Sequence, residues 1–368
     1  MPKRAEPRSL LCGFPVICIF ATLTLLSGCT DLGYYWQAAS GHLSLLAQKE
    51  DIEKLITSPD TQSETRHKLE LVRQVREFAV TELKLPQNPG YTGYTDLGRS
   101  YVTVAVTAAK PFTLTSQRWC YWFVGCQEYR GYFEKANALE LAKQLEAENW
   151  DVAISHVTAY STLGWLNQPW LPEWFSDPVL NTFLKRRDED IAATLIHEMA
   201  HQVVYVPDDT SFNESFASFV EQDGVASFLR SVEGDASPKL PRYRLAQADR
   251  ERFRTLILTT LLQLEQLYAS DLPKAEMQRK KQEVLTALKT TYHEQREQFR
   301  VLNYDHWFAK PLNNAHLLGV RRYEMHVEQF RNLYQKLDGD WQKFYEQIKE
   351  MKGWERSQRR TFLQEGNA

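Results

Sequence analysis

The segment His197-Glu198-Met199-Ala200-His201 constrains this chain more than any other feature. On an α-helix, two histidines four residues apart lie about 6 Å apart in rise and about 40° apart in azimuth. Both imidazoles then reach one Zn2+ at about 2.0–2.1 Å. Glu198 is rotated by about 100° from His197, where it faces a water on the metal without being a ligand. The flanking residues agree with a helix. Ile191, Leu195, Met199 and Val203 make an apolar stripe at four-residue spacing, and Asp188 reads as the N-cap. Ala193, Thr194 and Ala200 beside the histidines are small, which suits a helix flooring a cleft.

A catalytic zinc needs a third protein ligand and an open position. The turn signal Pro207-Asp208-Asp209-Thr210 is followed by a second helical pattern. There Glu214, Ala217, Ser218 and Glu221 share one face, while Phe212, Phe216, Phe219 and Val220 take much of the other. Glu214 is the expected third ligand of a single Zn2+. Glu221, two turns on, is the alternative ligand or a carboxylate that orients a ligand histidine.

These two segments resemble the gluzincin aminopeptidases, whose HELAHQ and NEGFAS motifs supply the two histidines and the third ligand. Here they read His-Glu-Met-Ala-His-Gln and Asn213-Glu214-Ser215-Phe216-Ala217-Ser218. The connection is shorter: twelve residues, Gln202 to Asn213, lie between the second His and Glu214, against eighteen in those enzymes. Nothing like their GxMEN substrate motif is present. Most of residues 29–350 is more closely similar to the putative zinc aminopeptidase lipoproteins of Gram-negative bacteria. The similarity runs through Tyr34-Tyr35-Trp36-Gln37-Ala38, Cys126-Gln127-Glu128-Tyr129-Arg130-Gly131-Tyr132-Phe133, Ala159-Tyr160-Ser161-Thr162-Leu163-Gly164-Trp165 and Asn313-Asn314-Ala315-His316-Leu317.

The resemblance implies hydrolysis of peptide bonds, with Glu198 as general base and then general acid. It also implies a downstream donor to the oxyanion, for which Tyr323 is preferred over His316 and Tyr304. Resembling zinc peptidases pair an edge strand upstream of the first motif with the substrate backbone, which makes Tyr160, Ser161 and Gly164 substrate-cleft residues. Arg130 is a further candidate, as a clamp on a substrate carboxylate or as an internal ion pair. An aminopeptidase acting on peptide N-termini is the first reading. The alternatives are a zinc endopeptidase of envelope proteins or peptides, and a non-enzymatic zinc-binding envelope lipoprotein.

Residues 1–28 read as a lipoprotein signal peptide. Lys3, Arg4 and Arg8 precede an apolar run from Phe14 to Leu26, too short for an ordinary membrane helix. Leu26-Ser27-Gly28-Cys29 resembles a lipobox, which makes Cys29 the expected lipidation site. Thr30, rather than Asp, follows it, and resemblance to bacterial sorting signals then implies the periplasmic side of the outer membrane, with the lipid anchor as the membrane contact. In that oxidising compartment Cys120 and Cys126 are an expected disulfide.

The fold expected is α+β and predominantly helical: a zincin-like core with a small mixed sheet, and a C-terminal helical bundle. Residues 29–235 would hold the N-terminal helices, sheet and zinc core, and 236–368 the helical region packed on it. Strands are expected over 101–106 and 152–160, and a helix over 133–150. The composition is that of a folded chain, at 43% hydrophobic and 25% charged. A net charge of −3 gives no basic field, so no nucleic-acid partner is expected.

Overall fold

Short β-branched runs and long amphipathic runs alternate in the first half of the chain, and helices fill the second. The computed structural model describes residues 33–121, 125–162, 164, 166–167, 170–321 and 326–365. The expectations for residues 1–28, Cys29 and Tyr323 fall outside the described residues. The described residues fall into two compact units, divided between residues 44 and 45. In the first, residues 33–44 are helical.

The second unit opens with β1 (Glu50–Asp51), α1 (Ile52–Thr57) and α2 (Ser63–Thr81). Then follow β2 (Gly93–Thr95), β3 (Thr103–Ala109), β4 (Trp119–Tyr121), β5 (Gly125–Gln127), β6 (Arg130–Tyr132), α3 (Lys135–Ala147), β7 (Asp151–Val157) and β8 (Val179–Leu180). The remaining elements are helices: α4 (Asn181–Leu184), α5 (Asp188–Ala200), α6 (Thr210–Glu233), α7 (Lys239–Tyr268), α8 (Lys274–Glu294), α9 (Asp305–Phe308), α10 (Asn314–Arg321), α11 (Val327–Lys336), α12 (Trp341–Met351) and α13 (Arg356–Glu365). The protein is α+β and predominantly helical. None of the helices among the described residues is long and apolar enough to cross a membrane.

Three small sheets form. β1 pairs antiparallel with β2, and β2 parallel with β8. The second sheet has the order β6-β3-β7, all antiparallel, with Ala105 opposite both Gly131 and Ser155. Its strands β3 and β7 answer the expected ones, displaced by a few residues. β4 and β5 make a hairpin in which Cys120 lies opposite Cys126 and is disulfide-bonded to it.

Two hydrophobic clusters hold the unit together. The first contains Leu69, Val72 and Val75 of α2, Ile191, Leu195 and Met199 of α5, and Phe212, Phe216 and Phe219 of α6. It also takes Phe330 of α11 and Phe344 of α12, so the end of the chain shares a core with the histidine helix. The second cluster joins Phe253, Ile257 and Leu261 of α7 to Leu285 and Leu288 of α8 and Leu317 of α10. Helix α7 spans both, because Leu240 and Tyr243 near its start belong to the first cluster. The expected division at residues 235/236 therefore runs inside one compact unit.

One local expectation changes. Asp188 is the first residue of α5 rather than its cap, which is Arg187. The Asp188 carboxylate instead receives Lys68 at 2.8 Å and Lys239 at 3.1 Å. Two cations outcompete a backbone N–H for it.

Candidate metal centre

Helices α5 and α6 pack side by side, and the segment between them decides where Glu214 points. Asn213 closes that segment on itself. Its Oδ1 accepts from Val206 N at 2.9 Å, and its Nδ2 donates to Val206 O at 2.8 Å. Asp209 is the N-cap of α6 and accepts from Phe212 N. Asp208 turns the chain with φ of 62°. The short connection is thus a hydrogen-bonded turn, and it fixes the first turns of α6 against the end of α5.

The structure brings His197, His201 and Glu214 together. One ligand atom from each lies within 4.8 Å of the others. His197 Nε2 is 3.4 Å from Glu214 Oε2, and His201 Nε2 is 3.8 Å from Glu214 Oε1. The two rings stand edge to face with centroids 4.9 Å apart. Atoms at those separations, two imidazole nitrogens and a carboxylate, fit the donor set and spacing that surround a tetrahedral Zn2+. Among the described residues this is the only such group of His, Cys, Asp and Glu.

Glu221 lies behind His197. Its Oε2 is 3.1 Å from His197 Nδ1, a contact that would keep the ring proton on Nδ1 whenever Nε2 is taken up by a metal. Glu221 Oε1 accepts from the Tyr243 hydroxyl at 3.4 Å, and that hydroxyl accepts from Gln247 Nε2 at 2.6 Å. Helix α7 therefore buttresses the carboxylate that orients the ring. Burial opposes charge on His197, yet the bonded carboxylates of Glu214 and Glu221 outweigh it and hold the imidazolium well above its ordinary range. His201 is pushed down to about 4, by burial and by the neighbouring His197 charge, against the pull of Glu214. Burial raises Glu198 to about 7; Glu214, Asp177 and Glu221 add to this and His197 opposes it.

The substrate-cleft candidates are placed as follows. Ser161 lies beside the Tyr91 hydroxyl. Gly164 has φ of 77°, and a Cβ there would stand 3.0 Å from Gln202 Cγ, so this turn requires glycine to pack on the residue after His201. Tyr160 packs on Phe133, ring centroids 5.7 Å apart. Arg130 sits in β6 opposite Val106, with its guanidinium over the Tyr132 ring. Strand β7, which leads into this stretch, is an edge strand. The alternative donors His316 and Tyr304 are taken up elsewhere. His316 Nδ1 bonds Asn313 Oδ1 at 2.8 Å, and Tyr304 stacks on Phe253 at 4.0 Å.

Sequence reasoning missed Tyr91 and Asp177. Both lie within electrostatic reach of Glu198. They come from loops beside β2 and β8, and the Tyr91 N–H donates to Asp177 O at 2.7 Å. Asn88-Pro89-Gly90 and Asp177-Pro178 are legible as turns, but no spacing in the sequence joins them.

A family model described as Putative aminopeptidase matches residues 33–363, and the chain belongs to that family. No curated protein and no solved structure matches the chain.

Proposed function

From family membership and site geometry together, we propose that the protein is a zinc-dependent aminopeptidase that removes N-terminal residues from peptides. The observation that carries this reading is that one ring nitrogen each of His197 and His201 and a carboxylate oxygen of Glu214 lie within 4.8 Å of one another. These three would hold the ion. When bound, zinc supplies Lewis-acid polarisation of the scissile carbonyl and acidifies water.

The chain's own groups do the rest. Glu221 keeps the proton on His197 Nδ1 and fixes the ring. Glu198, next to the first ligand but not part of the ligand set, takes the proton of the attacking water on its carboxylate and returns it to the leaving amine. Among the described residues β7 is the last strand of its sheet, and beyond Val152, whose O accepts from Asn313 Nδ2 at 2.8 Å, its outer edge supports an extended peptide lying alongside it. The basic leader, apolar run and Leu26-Ser27-Gly28-Cys29 support a lipid-anchored enzyme facing the periplasm from the outer membrane.

The test is metal content and peptide hydrolysis of the mature chain beside Glu198→Gln, Glu214→Ala and Glu221→Gln. Glu198→Gln should keep its zinc and lose hydrolysis by ~1000-fold or more. Glu214→Ala should lose zinc, and Glu221→Gln should bind it ~10–100-fold more weakly. Unchanged zinc affinity in Glu214→Ala would remove the ligand assignment.

A further inference from the structure

Beside the metal centre lies a set of buried polar atoms that the reaction above does not use. Asp177 is wholly buried, and its two oxygens differ. Oδ2 accepts from Thr162 N at 3.0 Å, Thr162 Oγ1 at 3.0 Å and Asn167 Nδ2 at 3.2 Å. Oδ1 is buried with no hydrogen-bond partner. The nearest cation does not neutralise it by contact. Lys49 Nζ donates to Glu173 O, Ser176 O and Ser176 Oγ at 2.8, 3.1 and 3.0 Å, which occupies its three N–H groups. A buried carboxylate oxygen left open costs free energy unless something binds it.

Two further open groups stand next to it. The Tyr91 hydroxyl is buried, with Ser161 and Gln202 as its hydrogen-bonding neighbours but neither at full hydrogen-bond geometry. Gln202 Nε2 is likewise buried with no well-formed hydrogen bond, while its Oε1 accepts from Asn88 Nδ2 at 2.6 Å. Tyr91 feels the charges of both Asp177 and Glu198, so it lies near both carboxylates.

The surroundings are built to hold this arrangement. Tyr91 keeps a left-handed φ of 61°, and the Arg76 guanidinium donates to Gly90 O at 2.9 Å. Gly90 packs so closely that a Cβ there would stand 2.6 Å from Asn167 Nδ2. Asn167 in turn accepts from Asp177 N at 2.8 Å.

We infer that Asp177 Oδ1 and the Tyr91 hydroxyl form the subsite for the free α-ammonium group of the substrate, with Gln202 Nε2 donating to the carbonyl of the same residue. The chemistry matches group for group: an ammonium brings N–H donors to an open carboxylate and a hydroxyl, and a carbonyl accepts from an open amide N–H. The inference rests on the peptidase reading and makes Asp177 its specificity determinant: peptides with a free, charged N-terminus are substrates and blocked ones are not.

The test uses the zinc-loaded mature protein and a tripeptide library randomised at its first residue, either free or N-acetylated. Wild type should cleave the free library ~100-fold faster or more. In Asp177→Asn that preference should fall below ~10-fold, through loss of rate on free peptides alone. Tyr91→Phe, which removes only a hydroxyl, should lose part of the same preference and keeps the test alive if Asp177→Asn misfolds. Binding of the free library by Glu198→Gln, read by calorimetry, should weaken when Asp177→Asn is added. A preference unchanged in Asp177→Asn and Tyr91→Phe overturns the inference. So does equal cleavage of both libraries by wild type, although the hydrolase reading then stands. No cleavage of either library by wild type removes the hydrolase reading and this inference with it.

Discussion

At the scale of single residues, Asp177 is the group whose placement costs the fold something. Burial raises its carboxyl from 3.8 to about 6; hydrogen bonds from Thr162 and Asn167 and the Lys49 charge pull the other way. Glu173 acts on Lys49, and Tyr91 and Glu198 are the titratable groups that feel the Asp177 charge. The folded pKa lies above the unfolded one. Between those two values the folded protein therefore binds more protons, and stability falls as pH rises through the window. The shift corresponds to roughly 3 kcal/mol of stability absent at pH 7 and present below the unfolded pKa. Asp177→Asn cannot ionise, while its amide oxygen still accepts the Thr162 and Asn167 donors. Urea unfolding should then show the variant gaining on wild type by roughly 2–3 kcal/mol between about pH 4 and pH 7. A stability difference that stays constant across that range would mean that Asp177 is not held in this state.

Whole elements show what can and cannot be read along a chain. The stripe of Ile191, Leu195 and Met199 was legible because a helix repeats its environment every turn, and all three are buried. The face shared by Glu214 and Glu221 was legible for the same reason. The expectation of an oxidising compartment predicted the Cys120–Cys126 bond, but not what the hairpin rests on. Asp208 accepts from Cys126 N at 3.0 Å and from Arg118 Nη2 at 2.7 Å, and Gln127 Nε2 donates to the Tyr205 hydroxyl at 3.1 Å. Those contacts join residues about eighty positions apart, beyond any periodicity. The strands β1, β2 and β8 are two or three residues long, too short to carry an alternating pattern, so the pairing that brings Tyr91 to Asp177 was illegible. The hairpin sits on the α5–α6 connection, whereas Glu214 is oriented by Asn213 and Asp209. Replacing both cysteines by serine should therefore cost about 2 kcal/mol of stability by loop entropy. Amide exchange should quicken over 118–121 and 125–127, and zinc affinity should shift by less than about threefold. A loss of zinc comparable to that of Glu214→Ala would show that the hairpin, not the Asn213 turn, aims the ligand.

Across the whole unit, the candidate metal centre depends on the far end of the chain. Asp209, which caps α6 five residues before Glu214, is almost fully buried, and so is Arg359 of α13. The Arg359 guanidinium donates to Asp209 Oδ2 through Nε at 3.0 Å and Nη2 at 2.7 Å. Its Nη1 donates to Trp354 O. Arg356 stands 3.5 Å from the other oxygen, and the Arg359 guanidinium lies 5.5 Å from the centre of the Phe212 ring. Helix α13 thus closes over the N-terminus of the ligand helix. Removing one partner of a buried pair leaves an uncompensated charge, at a cost of about 3–5 kcal/mol. Replacing both partners by neutral groups of similar volume costs much less. Arg359→Met should accordingly lower the urea midpoint strongly and weaken zinc binding, because the first turn of α6 loosens while both histidines stay in place. Adding Asp209→Asn to Arg359→Met should restore most of the stability and much of the zinc affinity, since the cap oxygen survives and the stranded charge is gone. If Arg359→Met instead lost stability with zinc affinity unchanged, α13 would brace the fold alone, and the aim of Glu214 would be set entirely within residues 201–213.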